Sequence, residues 1–239
     1  MVDLDMALKV VDEINQHGYK AYLVGGMVRN HLLGLPSSDV DITTNATPKE
    51  IMEIFEDSVP MEEYGAVTVN KKGIKYEITT FRKEFNYVNH RKPSEIKYID
   101  DLYQDLQRRD FTVNTICMNG EGEIIDYLSG EEDLKKRVLK SVGDPFVKFD
   151  EDALRILRAV RFATILDFTL DDKVVEAIKE TKKYIRELSY ERKKEELDKI
   201  FSCPNAYKGV QLLLELGLDE DLTDEKINTA LHYSVFQNN

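Results

Sequence analysis

The chain has 239 residues, 42% hydrophobic and 33% charged, with 33 basic against 45 acidic side chains for a net charge of −12. That length holds one large domain or two smaller ones around a substantial core, and the composition is that of a soluble, largely helical protein. No apolar run approaches the roughly 20 residues of a bilayer span, the polar start is no signal peptide, and the acidic balance argues against gripping nucleic acid mainly by its phosphates.

Residues 3–17 place Ala7, Val10, Val11 and Ile14 at helical spacing before Gly18, which predicts an opening amphipathic helix. An apolar run over 22–24 then enters Gly25-Gly26, a short helical segment carrying Arg29, and a strand with Asp39 and Asp41. Thr47-Pro48-Lys49-Glu50 is a capping box with proline at the first helical position, and predicts a helix to about residue 55. Residues 66–70 and 74–80, joined by Lys71-Lys72-Gly73, predict a β-hairpin, and 113–118 with 124–127 a second around Asn119-Gly120-Glu121-Gly122. Residues 83–98 read as a long polar loop, with Arg91, Lys92, Pro93 and Lys97 set among Tyr87 and Tyr98. A loop of this size inside a compact domain is either functional or disordered. Beyond residue 145 the β pattern ends, and 153–164, 174–181, 191–201 and 207–216 read as helices. The predicted fold is α+β: a head with a mixed, mostly antiparallel sheet and helices over 1–145, then an all-α region over 146–239.

Side chains alternate along a strand, so Asp39 and Asp41 point the same way. Two carboxylates side by side repel each other and call for a cation between them. Mg²⁺ is the economical choice, because it takes one or two carboxylates and completes its shell with phosphates. Upstream, Gly25 and Gly26 let backbone N–H groups approach an anion ahead of a helix N-terminus. Taken singly, the glycines read as a tight turn and Asp-x-Asp as a solvated strand face. Together, with Arg29 between them, they read as phosphoryl or nucleotidyl transfer. Glu77 is either a surface glutamate of a hairpin or a third carboxylate for that site. Arg108 and Arg109 either contact a triphosphate or stand as solvated cations. Asp152 is read as opening the 153–164 helix, with Arg155, Arg158 and Arg161 following at every third residue. Three arginines without an intervening acid suit an anion better than an ion-paired surface. The four scattered histidines offer no zinc spacing, and Cys117 and Cys203 read as reduced thiols of a cytoplasmic protein.

Leu23-Val24-Gly25-Gly26-Met27-Val28-Arg29, followed by Ser38-Asp39-Val40-Asp41-Ile42, resembles the head-domain signature of class II tRNA nucleotidyltransferases and bacterial poly(A) polymerases, within the DNA-polymerase-β-like superfamily. Arg108-Arg109-Asp110-Phe111-Thr112-Val113-Asn114 resembles that family's Arg-Arg-Asp-Phe-Thr-x-Asn motif, and Glu151-Asp152-Ala153-Leu154-Arg155 its Glu-Asp-x-x-Arg motif. The resemblance runs from about residue 20 to 218, in family order. It implies a nucleotidyltransferase head and helical neck that add C and A to the 3′ end of tRNA from CTP and ATP, with Mg²⁺, releasing pyrophosphate. It implies Asp39 and Asp41 as catalytic metal ligands, helped by Glu77. Gly25, Gly26, Arg29 and Arg109 would bind phosphates, Asp152 and Arg155 the base edge, and Arg158 and Arg161 the nucleotide or its phosphates. Asp110 and Asn114 would support that architecture, and the 188–197 stretch would be a structural neck helix. A carboxylate accepts from the exocyclic amine of cytosine or adenine, whereas uracil and guanine present carbonyl oxygens there, so a hydrogen-bonding site can discriminate steeply.

The chain departs from the family pattern twice. Asn30 stands where an aspartate is usual, and the sequence stops at Asn239 where relatives continue into body and tail domains. Two rival readings remain: a poly(A) polymerase using ATP only, and a non-catalytic nucleotide- or tRNA-binding fragment.

Overall fold

The computed structural model describes residues 2–61 and 65–222, so residues 223–239 of the expected helical region lie outside the described residues. The first helix, α1 (Leu4–Gln16), starts at Asp3, whose carboxylate accepts from the Asp5 N–H at 3.0 Å, and it buries Ala7, Val10, Val11 and Ile14 as the spacing predicts. Next come β1 (Ala21–Val24), α2 (Gly26–Leu32) and β2 (Val40–Thr44). The capping box forms at α3 (Pro48–Ile54): the Thr47 hydroxyl accepts from the Glu50 N–H, and the Glu50 carboxylate accepts from the Thr47 N–H at 2.7 Å. After β3 (Ser58–Met61), the predicted hairpin is β4 (Ala66–Lys71) and β5 (Ile74–Thr80), turned by Lys72 and Gly73 at φ +53° and +78°. Positive φ at both turn positions matches the twist of the flanking strands.

The stretch expected as a long loop is instead a second hairpin, β6 (Arg82–Val88) and β7 (Lys92–Tyr98), in a sheet of its own. Its mostly exposed, polar side chains leave no apolar alternation to read. There follow α4 (Leu102–Gln107), a single 3₁₀ turn over Thr112–Asn114, β8 (Cys117–Met118), β9 (Ile124–Ile125) and α5 (Gly130–Lys136).

The main sheet has seven strands in the order β3-β4-β5-β2-β1-β8-β9. Among the described pairings within it, only β2 with β5 is parallel. Neighbouring strands set Leu23, Ile42, Ile78 and Val67 in one row, each at most 1% exposed. Burying such a side chain contributes roughly 1.5–3 kcal/mol. The next row along carries Val24, Asp41, Glu77 and Thr68 and points to the other face. Under that face lie Phe81, Leu102, Leu106 and Cys117, packed with Val24. The apolar row therefore fixes the register that turns both carboxylates to the opposite face.

By its contacts the chain divides into two units, Met1–Phe85 with Glu95–Leu134, and Asn86–Ser94 with Lys135–Asn239. The division falls inside α5 and takes the tip of the β6–β7 hairpin into the second unit. That unit holds β10 (Val138–Leu139), α6 (Pro145–Glu151), α7 (Leu154–Ile165), β11 (Thr169–Leu170), α8 (Asp172–Thr181), α9 (Tyr190–Phe201) and α10 (Ala206–Glu215). It is helical apart from the hairpin tip and the two-residue parallel pairing of β10 with β11. Gly209 of α10 is buried where a Cβ would come within 2.9 Å of the Thr164 hydroxyl on α7, so glycine lets these helices approach closely.

Candidate active site

The first site begins where β1 ends. Gly25 has φ +71° and ψ −128°, a conformation that side chains disfavour, and α2 starts at the next residue. A Cβ at Gly25 would lie 3.6 Å from Asp41 Oδ2 and 3.9 Å from Arg109 Nη1. The bare backbone thus leaves space beside a carboxylate and a guanidinium at once. Asp41 and Glu77 are register partners on parallel strands, so they share a face, and both are half-buried. Asp39 precedes β2, is exposed, and accepts from the Ser38 hydroxyl at 3.1 Å.

Arg29 is buried on α2. Its Nη2 and Nε donate to Asn30 Oδ1 at 2.9 and 3.2 Å, and its Nη1 donates to Asn114 Oδ1. Asn114 Nδ2 in turn donates to Asp110 Oδ1 at 3.0 Å. The Asn30 amide also donates to the Pro36 carbonyl at 3.0 Å. An aspartate there would accept from Arg29 as well but could not donate to Pro36.

Next to Arg29's network runs a second one. Asp105 on α4 is fully buried and accepts from the Thr43 hydroxyl at 3.0 Å, the Arg82 N–H at 3.1 Å and Arg108 Nε at 2.8 Å. Arg109 Nη2 lies 3.7 Å from the same carboxylate. Burial pushes Asp105 up, but the Arg108 and Arg109 charges outweigh it and hold the carboxyl below its usual range. Glu84 accepts from Arg82 Nε at 2.7 Å and stands 3.4 Å from Arg108 Nη1. Burial and the neighbouring Arg108 charge pull Arg82 below the usual arginine range. Over these five side chains, three cations and two anions leave one positive charge, and Arg109 Nε is buried with no hydrogen-bond partner. Such an array suits an anionic ligand.

The second unit carries its own charged site. Asp152 stands between two helices rather than only opening one. It closes α6, a helix started by the Asp144 cap and Pro145, and its Oδ1 accepts from the Leu154 N–H at the start of α7 at 3.1 Å. Burial raises its pKa against the lowering pull of Arg192, Arg155 and Arg158. Arg192 on α9 stands 3.5 Å from Asp152 Oδ2. The three motif arginines do not share one partner, since each step of three residues turns about 60° around the helix. Although Arg158 and Arg161 both lie against the Phe162 ring, Arg155 turns to the α6 corner. Arg155 Nη1 donates to Glu151 Oε2 at 2.7 Å and to the Lys148 carbonyl at 2.9 Å. Arg158 lies over the Phe162 ring, and Arg161 pairs with Glu196 of α9 at 2.5 Å. The hairpin tip docks at the same corner: the His90 carbonyl accepts from the Ala153 N–H at 2.9 Å, its ring stacks on Tyr184 at 3.8 Å, and Arg155 lies over the Tyr87 ring.

The poly(A) polymerase head domain model matches residues 21–140, and a model for a probable RNA- and SrmB-binding site of polymerase A matches 167–223. The chain belongs to the family of CCA-adding enzymes and bacterial poly(A) polymerases. The CCA-adding enzyme of a Geobacillus species is 43% identical over 213 residues, which are 89% of this chain and 53% of that one. The structure of the Bacillus stearothermophilus CCA-adding enzyme in complex with CTP is similar with a TM-score of 0.83 at 39% identity, covering 91% of this chain and 53% of that one. A tRNA nucleotidyltransferase complexed with a primer tRNA and an incoming ATP analogue gives a TM-score of 0.75 at 30% identity, covering 90% and 62%. The chain spans about half the length of the curated relatives it matches.

Against the family motifs, Asp105, Glu84, Arg192 and Glu196 are residues the motif reading passes over. Asp105 was detectable, being three and four residues before Arg108 and Arg109 on a helix. Arg192 and Glu196 carry no such signal, because their partners sit on another helix.

The family's divalent metal can be tested against the residues present. Among the described residues, no three His, Cys, Asp or Glu side chains converge as a ready-made metal group. Mg²⁺ does not require one, since one or two carboxylates plus substrate phosphates suffice. Half-buried Asp41, exposed Asp39, and the space that a Gly25 side chain would fill together suit such a donor set.

Proposed function

We propose that this chain carries the nucleotidyl-transfer half of a CCA-adding enzyme, joining C and A residues from CTP and ATP to a tRNA 3′ end without a template and releasing pyrophosphate. The observation that carries this reading is the row of Asp41 and Glu77 beside bare Gly25 and Arg109, in a chain 43% identical to a CCA-adding enzyme. Mg²⁺ held by Asp39 and Asp41, with Glu77 alongside, would supply Lewis-acid stabilisation of charge at the α-phosphate and the attacking 3′-hydroxyl. In the first unit, the Gly25-Gly26 backbone leaves room for phosphate oxygens, and Arg109 donates to the triphosphate. Asp105 aims Arg109, and Arg29 braces the Gly25–Asn114 corner through Asn30 and Asn114. In the second unit, Asp152 accepts the exocyclic amine of cytosine or adenine and rejects the carbonyl that uracil or guanine presents. Arg155 belongs to that base-reading group and Arg158 to nucleotide binding, while Arg161 ties α7 to α9.

Among the described residues no helix is long and apolar enough to cross a membrane, and a tRNA substrate implies a cytoplasmic setting. The test is incubation with Mg²⁺ and tRNA lacking its 3′ CCA, supplying CTP and ATP separately and together. The reading expects addition of CCA. Long A tails from ATP alone would replace it with poly(A) synthesis, and no incorporation in any mixture would leave only a nucleotide- or tRNA-binding fragment.

A further inference from the structure

The loop that delivers Asp39 to the sheet has little packing to fix it. Gly34, Leu35, Pro36, Ser38 and Asp39 are exposed, and the loop lines an open cavity of about 440 Å³ with Met27 and His31 of α2. Hydrogen bonds hold it instead, and two of them converge on Asn30. At the end of α2 the chain turns at Gly34 with φ +68°, and the Leu35 N–H donates to the Asn30 carbonyl at 2.8 Å. The Asn30 side chain takes the next residue as well, its Nδ2 donating to the Pro36 carbonyl at 3.0 Å. Beyond it the Ser37 carbonyl accepts from the Val2 N–H at 3.0 Å. On its other side Asn30 Oδ1 accepts from Arg29 Nη2 and Nε. A guanidinium only donates and a backbone carbonyl only accepts, so a single orientation of the amide serves both.

We infer that Asn30 is a positioning residue for Asp39: its amide fastens the loop carrying that carboxylate to the buried Arg29 network, and so sets Asp39 relative to Asp41. The inference rests on the nucleotidyl-transfer reading above, in which Asp39 and Asp41 hold the metal. Asp41 is fixed by the sheet, because it is paired with Val24 on one side and Glu77 on the other. Asp39 precedes β2, and its carboxylate accepts from the Ser38 hydroxyl, which belongs to the same loop. One metal ligand is therefore placed by strand pairing and the other by the Asn30 bond. Holding a cation between two carboxylates requires ordering the looser one, so a loop already fastened raises affinity for the ion. The aspartate usual at this position keeps the acceptor for Arg29 but sets an oxygen against the Pro36 carbonyl, which releases the loop.

The test is equilibrium binding of Mn²⁺, the probe for the Mg²⁺ site, with the free ion counted by its electron paramagnetic resonance signal. Asn30→Ala should bind Mn²⁺ about fivefold more weakly than wild type, the factor expected from one net hydrogen bond. Asn30→Asp keeps a partner for Arg29 and loses only the donor to Pro36; it too should bind more weakly, against the attraction of its added charge, and it serves if the alanine variant does not fold. In an Asp39→Ala background neither substitution should change Mn²⁺ affinity further, because Asn30 acts through Asp39. A merely structural role would lower the melting temperature and leave the Mn²⁺ affinity of the folded protein unchanged. Binding unchanged or tighter in either folded variant overturns the inference, as does a weakening that persists undiminished without Asp39. Wild type that binds no Mn²⁺, or binds it equally well after Asp41→Ala, would instead sink the metal assignment of the nucleotidyl-transfer reading itself.

Discussion

At the open end of the sheet, Asp41 and Glu77 share a face because β2 and β5 pair in parallel register, and the buried row of Leu23, Ile42, Ile78 and Val67 holds that register. At the helical corner, Asp152 meets Arg192 only because α9 packs against α7, with Arg161 and Glu196 tying the same two helices. One site inherits its geometry from backbone pairing, the other from side chains reaching across between helices. A site of the first kind tolerates loss of a functional group without losing shape. In a site of the second kind the functional groups are themselves contacts between helices, so a change to one alters function and stability together.

The largest effect expected from this contrast is at Asp41. Asp41→Ala should reduce nucleotide incorporation on the order of a thousandfold or more, while the unfolding midpoint stays near that of wild type. A variant that loses activity only in proportion to a loss of folded protein would show that the carboxylate is structural. Between the extremes stands Asp105, a buried anion holding Arg108 and Arg109. Asp105→Asn should cost about 3 kcal/mol, as expected when one partner of a buried ion pair is removed. The sign with pH follows from its lowered pKa. The stabilisation is present above the unfolded value near 3.8 and is lost as pH falls through the folded one. Urea melts of variant and wild type should therefore differ at pH 7 and draw together in acid; equal stability at pH 7 would remove Asp105 from its supporting role.

A smaller effect on stability than at Asp105, and one of opposite sign, is expected at Asp152. Its pKa is raised by burial, so the protonated form's stabilisation is full below about 3.8 and is gone once pH rises past the folded value. At neutral pH the ionised group opposes folding. Asp152→Asn should raise the melting temperature at pH 7, with the gain vanishing in acid. The same variant should accept UTP, since the amide can donate to a carbonyl. A fall in melting temperature, or undiminished rejection of UTP, would break the comparison.

What could be read from the residues follows the same divide. The opening helix, the Thr47 capping box and the β4–β5 hairpin depend on local period or on pairing that the period dictates, whereas the shared face of Asp41 and Glu77 comes from the long-range parallel pairing of β2 with β5. The contacts that qualify the roles of Arg155, Arg161 and Asp152 depend on partners elsewhere: Lys148's carbonyl, Glu196 and Arg192. The β6–β7 hairpin was hidden because its strands bury too little to alternate. The α6 helix was missed although Asp144-Pro145 is a legible start, because at seven residues it has almost no apolar period to follow.

Gly25 and the strands beside it carry one more consequence, for how such a sequence can change length. Because β5 alternates faces residue by residue, a single inserted or deleted residue between Tyr76 and Ile78 would exchange the places of Glu77 and its buried neighbours. Two residues together would restore the alternation. Descendants of this chain can lengthen or shorten that strand only in even steps, whereas the turn at Lys72-Gly73 has no such parity to keep.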